Sequence, residues 1–125
     1  MPLDDGSVWY LNITSDRVDD VPVIALEGRV SNATAAALAD AIAAAPRGAS
    51  RDVVIDFSEV DYVSSAGVRA LEAGAAALHD DGRELVVCGV GEIIAPTFAL
   101  AGSIAHLAVE PSRERAVARL RRQVL

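Results

Sequence analysis

The chain has 125 residues, of which 52% are hydrophobic and 23% charged, so we expect residues 1–125 to form a single domain with its own core. Its formal net charge of −7 opposes the attraction to phosphate backbones on which nucleic-acid binding depends. The chain has one cysteine and no lysine, which excludes a disulfide framework and a phosphate-binding loop that ends in lysine.

The N-terminal segment does not resemble a signal peptide. It carries Asp4 and Asp5 where a signal peptide has a basic start, and no charge-free apolar stretch reaches the ~18 residues that a membrane helix needs. We therefore expect a cytoplasmic protein without direct membrane insertion.

Two strands are predicted at the start of the chain. Residues 8–14 alternate large and polar side chains, which indicates a half-exposed strand at a sheet edge. Residues 16–22 favour a turn, and the mostly apolar residues 22–30 favour a more central strand that ends near Glu27 and Gly28. The two strands are expected to pair in antiparallel fashion.

Helices and buried strands then alternate. Residues 31–46 predict a helix with a serine or asparagine N-cap, and Pro46 ends it. Residues 52–60 have the continuous apolar character of a strand that is covered on both faces. A helical pattern begins at Ala66 and ends at residues 80–82, and Gly74 inside it predicts close packing on the sheet.

The last third of the chain continues the alternation. Strands are predicted over residues 84–90 and 104–111, and helices over residues 91–102 and 112–125. The order of elements predicts an α/β fold: one mostly parallel sheet of four or five strands, an antiparallel N-terminal edge strand and about four flanking helices. In such sheets the functional surface lies beyond the carboxyl ends of the strands, where residues 61–67 are expected.

No catalytic constellation emerges from the sequence. Ser65 lacks the glycine two residues earlier that a nucleophile elbow requires, because Val63 stands there. His79 is expected about a helix length (~20 Å) from Ser65, and His106 is interpreted as a surface or edge residue. The two histidines do not have the spacing of a metal-ligand pair. We expect no catalytic residue, no metal and no cofactor, and thus no enzyme.

One segment resembles a known family. Residues 53–78, VVIDFSEVDYVSSAGVRALEAGAAAL, resemble the signature of the STAS domain of bacterial anti-sigma factor antagonists. Residues 27–38 and 98–117 resemble the family's strand-to-first-helix segment and its third helix, last strand and final helix. The positions that match the signature are Asp56, Ser58, Tyr62, Val63, Ser65, Gly67 and Leu71.

The resemblance implies a STAS fold and regulation by phosphorylation. It implies that the unphosphorylated form binds a kinase-type anti-sigma factor and thereby frees the sigma factor. It also implies that this kinase phosphorylates Ser65, which abolishes binding. A phosphatase is then expected to restore the unmodified serine. The partner-binding residues that we assign on this basis are Asp56, Ser58, Tyr62, Ser64, Ser65, Gly67 and Arg69.

Two positions depart from the family pattern. Ser64 stands where an aspartate is usual, and Ala66 replaces a second serine or threonine. Ser64 is therefore a second candidate acceptor, and either serine could instead be only a helix cap.

Two alternative functions stay open. STAS domains also serve as accessory subunits of lipid-transporting ATPases and as parts of other signalling assemblies. A small enzyme that uses Ser65 is disfavoured, because the sequence offers it no base, acid or cofactor loop.

Overall fold

The fold is an α/β structure with one central sheet. The structure is a computed structural model that describes residues 10–45, 52–92, 94–96 and 107–124. Its strands are β1 (Leu11–Val18), β2 (Val21–Val30), β3 (Val53–Val63), β4 (Leu85–Cys88) and β5 (Leu107–Glu110). Its helices are α1 (Ala35–Ala43), α2 (Ser65–Asp80) and α3 (Arg113–Val124).

The five strands lie side by side in chain order. β1 pairs with β2 in antiparallel fashion, and the pairs β2–β3, β3–β4 and β4–β5 are parallel. The predicted fold class, with its antiparallel edge strand, is confirmed. Because right-handed crossovers that advance in one direction place their helices on one face, α1 and α2 lie together on the same side of the sheet.

The sheet is covered on both faces. On the α1 and α2 side, Ile55 and Phe57 of β3 belong to the larger of two hydrophobic clusters. On the opposite side, Val54 lies in a second cluster with Val117 and Leu120 of α3. The continuous apolar run of β3 therefore reflects a strand whose alternate side chains enter two separate layers of the core.

The first hairpin is tighter than predicted. β1 continues to Val18 and β2 begins at Val21, so the predicted turn over residues 16–22 shrinks to Asp19 and Asp20. Both aspartates have positive φ, 51° and 65°. A two-residue hairpin whose central residues both have positive φ matches the right-handed twist of its strands, and aspartate tolerates this conformation.

β2 and β3 run further than predicted. β2 was expected to end near Gly28 and β3 at residue 60, but β2 reaches Val30 and β3 reaches Val63. The pairing of the two strands is irregular around Gly28, whose φ is +122°, and it then resumes and joins Val30 to Val63. Both strands thus continue to the start of α2, and Tyr62 and Val63 lie on a strand and not in a loop.

Several helix details also differ from the prediction. α1 begins only at Ala35, because Ser31 and Thr34 form a turn in which the Ser31 N–H donates to Thr34 Oγ1 at 2.9 Å. Gly74 packs against α1 and not against the sheet, since a Cβ at Gly74 would lie 2.8–2.9 Å from three atoms of Ile42.

Part of the predicted C-terminal region lies outside the described residues. The structure describes the helix predicted over residues 91–102 only at 91–92 and 94–96, where the Ala95 N–H donates to the Gly91 carbonyl at 2.9 Å. It describes the last predicted strand from residue 107 onward. Within the described ranges, no helix is both long enough and apolar enough to cross a membrane.

Candidate functional site

The two adjacent serines occupy different structural positions. Ser64 is the N-cap of α2 with extended backbone angles (φ −85°, ψ 171°), and its Oγ accepts a hydrogen bond from the Gly67 N–H at 3.1 Å. Its own N–H donates to the Val30 carbonyl at 2.8 Å, which ties the cap to the end of β2. The Ser64 hydroxyl is therefore part of the helix start.

Ser65 is the first residue of α2 and is exposed. Among the described residues, its hydroxyl has no hydrogen-bond partner. The N–H groups of Ser65 and Ala66 lie in the first turn, where helix geometry offers no intrahelical acceptor, and the positive end of the helix dipole lies there too. An exposed hydroxyl in this setting is suited to accept a phosphoryl group.

Gly67 is explained by close packing. A Cβ at this position would lie 2.6 Å from Val30 Cγ1 and 3.0 Å from Val63 Cγ1. The glycine therefore allows the first turn of α2 to rest directly on the ends of β2 and β3. It is buried.

A groove lies beside the capped helix start. It has a volume of about 330 Å³, and its lining consists of Ser31, Asn32, Ala33, Tyr62 and Ser64. Tyr62 is 38% exposed. Its ring lies 5.9 Å from the Arg29 guanidinium, and Arg29 Nε in turn lies 3.6 Å from Asp61 Oδ1.

The sequence analysis assigned four residues of this region to no functional site: Arg29, Ser31, Asn32 and Ala33. Arg29 reaches the site because it pairs with Tyr62 across β2 and β3. The signal that could have found them is the polar segment directly after β2. The carboxyl ends of neighbouring parallel strands meet at one sheet edge, so this segment lies beside the start of α2.

Asp56 lies away from the serines, on the α3 face of the sheet. It is 7% exposed, and its Oδ2 lies 3.0 Å from Arg113 Nε at the start of α3. Its Oδ1 accepts a hydrogen bond from the Ser58 N–H at 2.9 Å. Burial alone would raise the pKa of Asp56, but the hydrogen bonds from Ser58 and the adjacent Arg113 hold this pKa below its usual value.

Cys88 lies next to this carboxylate. It pairs with Asp56 between β4 and β3 and is buried, and burial together with the negative Asp56 raises the pKa of its thiol to about 12. Gly89 follows with a φ of +73°, and a Cβ there would lie 2.8 Å from Asp56 Oδ1. Strand pairing at Asp56 and Cys88 joins β3 to β4, and the ion pair of Asp56 with Arg113 joins β3 to α3.

The structure brings five of the seven predicted partner-binding residues near the start of α2: Tyr62, Ser64, Ser65, Gly67 and Arg69. Asp56 and Ser58 lie several residues earlier on β3, and Ser58 is exposed. Arg69 is exposed and lies one helical turn after Ser65.

The one histidine that the structure describes does not join the site. His79 lies in the last turn of α2, at the opposite end of the helix from Ser65, as predicted. His106 lies outside the described residues. Within the part of the chain that the structure describes, no group of three or more His, Cys, Asp or Glu side chains could hold a metal ion.

Comparisons with known proteins assign the chain to a family. A family model described as "Mlab, STAS domain" matches residues 13–108. The chain belongs to the STAS domain family.

Two similar proteins carry the name of an anti-sigma factor antagonist. BtrV of Bordetella bronchiseptica, named as an anti-sigma factor antagonist, is 33% identical over 108 residues, which cover 86% of this chain and 93% of BtrV. The crystal structure of an anti-sigma factor antagonist from Mycobacterium paratuberculosis has a TM-score of 0.75 at 25% identity, with 90% of this chain and 95% of that one covered.

The fold is shared more widely. SpoIIAA, an anti-sigma factor antagonist solved in its unphosphorylated form, has a TM-score of 0.65 at 16% identity, with 88% of this chain and 98% of that one covered. The STAS resemblance predicted from residues 53–78 is thus confirmed for the family and for the fold.

Proposed function

We propose that this STAS protein is a cytoplasmic anti-sigma factor antagonist that acts as a binding module and not as an enzyme. In its unphosphorylated form it binds a kinase-type anti-sigma factor and frees the sigma factor, and phosphorylation of Ser65 abolishes this binding. A phosphatase acting on phospho-Ser65 restores the binding form. The observation that carries the proposal is the exposed hydroxyl of Ser65 at the first residue of α2, which has no hydrogen-bond partner among the described residues. BtrV and the M. paratuberculosis protein support it as relatives named anti-sigma factor antagonists.

The geometry favours Ser65 over Ser64 as the acceptor. The Ser64 oxygen already accepts a hydrogen bond from Gly67, and a phosphoryl group on it would disturb the cap and crowd the end of β2. A phosphoryl group on Ser65 adds about −1.5 to −2 charges next to free N–H groups at the positive end of the helix. We therefore expect the fold to survive modification of Ser65.

The effect on the partner follows from electrostatics. A partner face that fits the neutral hydroxyl of Ser65 would have to desolvate a dianion or meet it with its own acidic groups. Repulsion between unit charges at ~4 Å amounts to about 1 to 4 kcal/mol at the dielectric constants of water and of a protein surface. This corresponds to a roughly 5- to 1000-fold loss of affinity without any backbone rearrangement.

The predicted partner-binding residues divide into two groups. Ser58, Tyr62, Ser65 and Arg69 are exposed and Ser64 is half-buried, so these five can touch a partner directly. Asp56 and Gly67 are buried and would act by positioning the surface.

A phosphorylation assay tests the acceptor. The purified chain is incubated with ATP and each kinase-type anti-sigma factor of the source genome, and phosphate uptake is measured by intact mass. The wild type and Ser64→Asp should be phosphorylated, because aspartate keeps the cap and leaves Ser65 in place. Ser65→Ala should take up no phosphate, and its phosphorylation to the wild-type extent would remove Ser65 from the proposed role.

A binding assay tests the consequence. Ser65→Asp should bind the anti-sigma factor at least about fivefold more weakly than the wild type, for the electrostatic reason above. Its melting temperature should stay close to that of the wild type, because an acidic side chain is favourable in the first turn of a helix. Wild-type affinity of Ser65→Asp would contradict the proposal.

The second candidate function is an accessory subunit of a lipid-transporting ATPase or of another signalling assembly. The matching family model, which carries the name Mlab and not the name of an anti-sigma factor antagonist, keeps this candidate open. Affinity purification of the wild-type chain from its source distinguishes the two candidate functions. Recovery of a transport ATPase together with the chain, without any kinase-type anti-sigma factor, would favour the accessory-subunit function.

A further inference from the structure

Among the seven arginines whose side chains the structure describes, Arg69 is one of two without an ion-pair or hydrogen-bond partner in the described part of the chain. Five arginines with described side chains bind an oxygen atom: Arg17, Arg29, Arg83, Arg113 and Arg119. Arg69 and Arg115 are exposed, and neither guanidinium has an ion pair or hydrogen bond to the described part of the chain. Arg69 is therefore a solvated cation on the surface of α2.

Arg69 is placed next to Ser65. The two residues are four positions apart on α2, so they are neighbours on one face of the helix with Cβ atoms ~5–6 Å apart. Both are exposed. An acidic group four residues before a basic one is the more favourable order of such a pair in a helix.

We propose that Arg69 is the intramolecular counterion of the phosphoryl group on Ser65. In the unmodified chain the face carries a neutral hydroxyl and an accessible cation. After modification the guanidinium pairs with the phosphate, so the local charge changes from +1 to about −1 and the cation is no longer available to a partner. This inference rests on the proposed phosphorylation of Ser65 and gives Arg69 a role in its regulation.

Other charges near this face are already compensated or are weaker competitors. Arg29 and Asp61, at the ends of β2 and β3, lie 3.6 Å from each other. Glu72 follows Arg69 by three residues on α2 and is exposed, but its carboxylate lies outside ion-pair distance of Arg69. A phosphate dianion next to Arg69 attracts the guanidinium more strongly than the single charge of Glu72 does.

The test uses the full chain with phosphoserine incorporated at position 65 during translation, and phosphorus NMR follows the phosphate as a function of pH. The second pKa of the phosphate should rise by about 0.3 units in Arg69→Gln, because the lost pair stabilises the dianion. Arg115→Gln is the matched control and should leave this pKa unchanged. In 1 M salt the difference between the wild type and Arg69→Gln should disappear.

Two results would overturn the inference: equal phosphate pKa values in the wild type and Arg69→Gln, or a rise of the same size in Arg115→Gln. The phosphate pKa of Arg69→Lys should lie between those of the wild type and Arg69→Gln, because lysine keeps the charge but not the planar guanidinium. Circular dichroism of each variant checks the fold. The phosphate in this test is installed without a kinase, so the two proposals can fail separately. Equal pKa values would overturn the pairing of Arg69 but not the phosphorylation of Ser65. A negative phosphorylation assay would overturn the phosphorylation of Ser65, and the pairing of Arg69 with a phosphate could still be measured.

Discussion

At the scale of single residues, neighbouring side chains of the same type have separate tasks. The Ser64 hydroxyl satisfies the Gly67 N–H, whereas the Ser65 hydroxyl is exposed to solvent. An aspartate, which the resemblance to the STAS signature leads us to expect at the position of Ser64, is also a good N-cap. The replacement by Ser64 therefore preserves the start of α2 and removes a negative charge beside the candidate acceptor.

Removing the cap should destabilise the fold. We expect Ser64→Ala to lower the free energy of unfolding by about 1 kcal/mol, because the Gly67 N–H loses its acceptor. The free energy of unfolding of Ser64→Asp should stay close to that of the wild type, since the aspartate carboxylate can accept the same hydrogen bond. Urea denaturation measures both, and equal stability of Ser64→Ala and the wild type would contradict the role of Ser64 as a cap.

Asp56 should make stability depend on pH. Its pKa in the fold is lowered from 3.8, so its ionised form stabilises the fold above pH 3.8, and this contribution is lost as the pH falls below that value. At pH 7, Asp56→Asn should lower the free energy of unfolding by about 2 kcal/mol, because Arg113 and the Ser58 N–H lose their carboxylate. The difference in the free energy of unfolding between Asp56→Asn and the wild type should become smaller towards pH 3.

The matched control is Asp20→Asn, which breaks the exposed ion pair between Arg17 and Asp20. Exposed pairs of this kind contribute about 0–1 kcal/mol, so its effect at pH 7 should be smaller than that of Asp56→Asn. Urea denaturation at pH 3 and pH 7 compares the variants. If the free energy of unfolding of Asp56→Asn lies as far below that of the wild type at pH 3 as at pH 7, Asp56 stabilises the fold by its shape and not by its charge.

At the scale of elements, glycines set how closely α2 approaches its neighbours. Gly67 lets its first turn rest on β2 and β3, and Gly74 lets its middle rest on Ile42 of α1. Both contacts join segments that are distant in the sequence. The position of Ser65 relative to the groove therefore depends on the contacts of α2 with the two strands and with α1, and not on the local motif alone.

Filling the contact between the helices should be unfavourable. Gly74→Ala gains up to ~1 kcal/mol of helix propensity, but its methyl group would meet Ile42 at 2.8–2.9 Å, and overpacking costs ~1–3 kcal/mol. We expect a net loss of about 1 kcal/mol in the free energy of unfolding. Gly91→Ala is the control, because nothing lies within 4 Å of its added Cβ. A more stable Gly74→Ala would mean that the two helices can move apart freely.

At the scale of the whole molecule, the sheet joins two layers of core. α1 and α2 cover one face, and α3 covers the other with Ala116, Val117 and Leu120. The same strands form the floor of both layers, and Arg113 connects α3 to Asp56 on β3. The C-terminal helix should therefore be needed for the stability of the whole fold, including the distant start of α2.

A single substitution in the second layer tests this coupling. Leu120 is 1% exposed, and Leu120→Ala should lower the free energy of unfolding by about 2–4 kcal/mol through lost burial and a cavity. If residues 1–125 form one domain, near- and far-UV circular dichroism should follow one shared transition. Ala118→Gly, at an exposed position of α3, is the control and should cost only ~1 kcal/mol. Separate transitions for the two layers would contradict this coupling.

The sequence by itself determined the order of strands and helices, the two-sided burial of β3, the family signature and the candidate Ser65. These features are local or periodic: apolar spacing, cap residues and a short motif can be read along the chain. Only the tertiary structure decided which serine forms the cap, where Gly74 packs, that Asp56 faces Arg113 and that residues 31–33 line the groove beside Tyr62. Each of these depends on the register of β2 against β3 or on contacts between distant helices, which arise from packing in three dimensions and leave no periodic trace in the sequence.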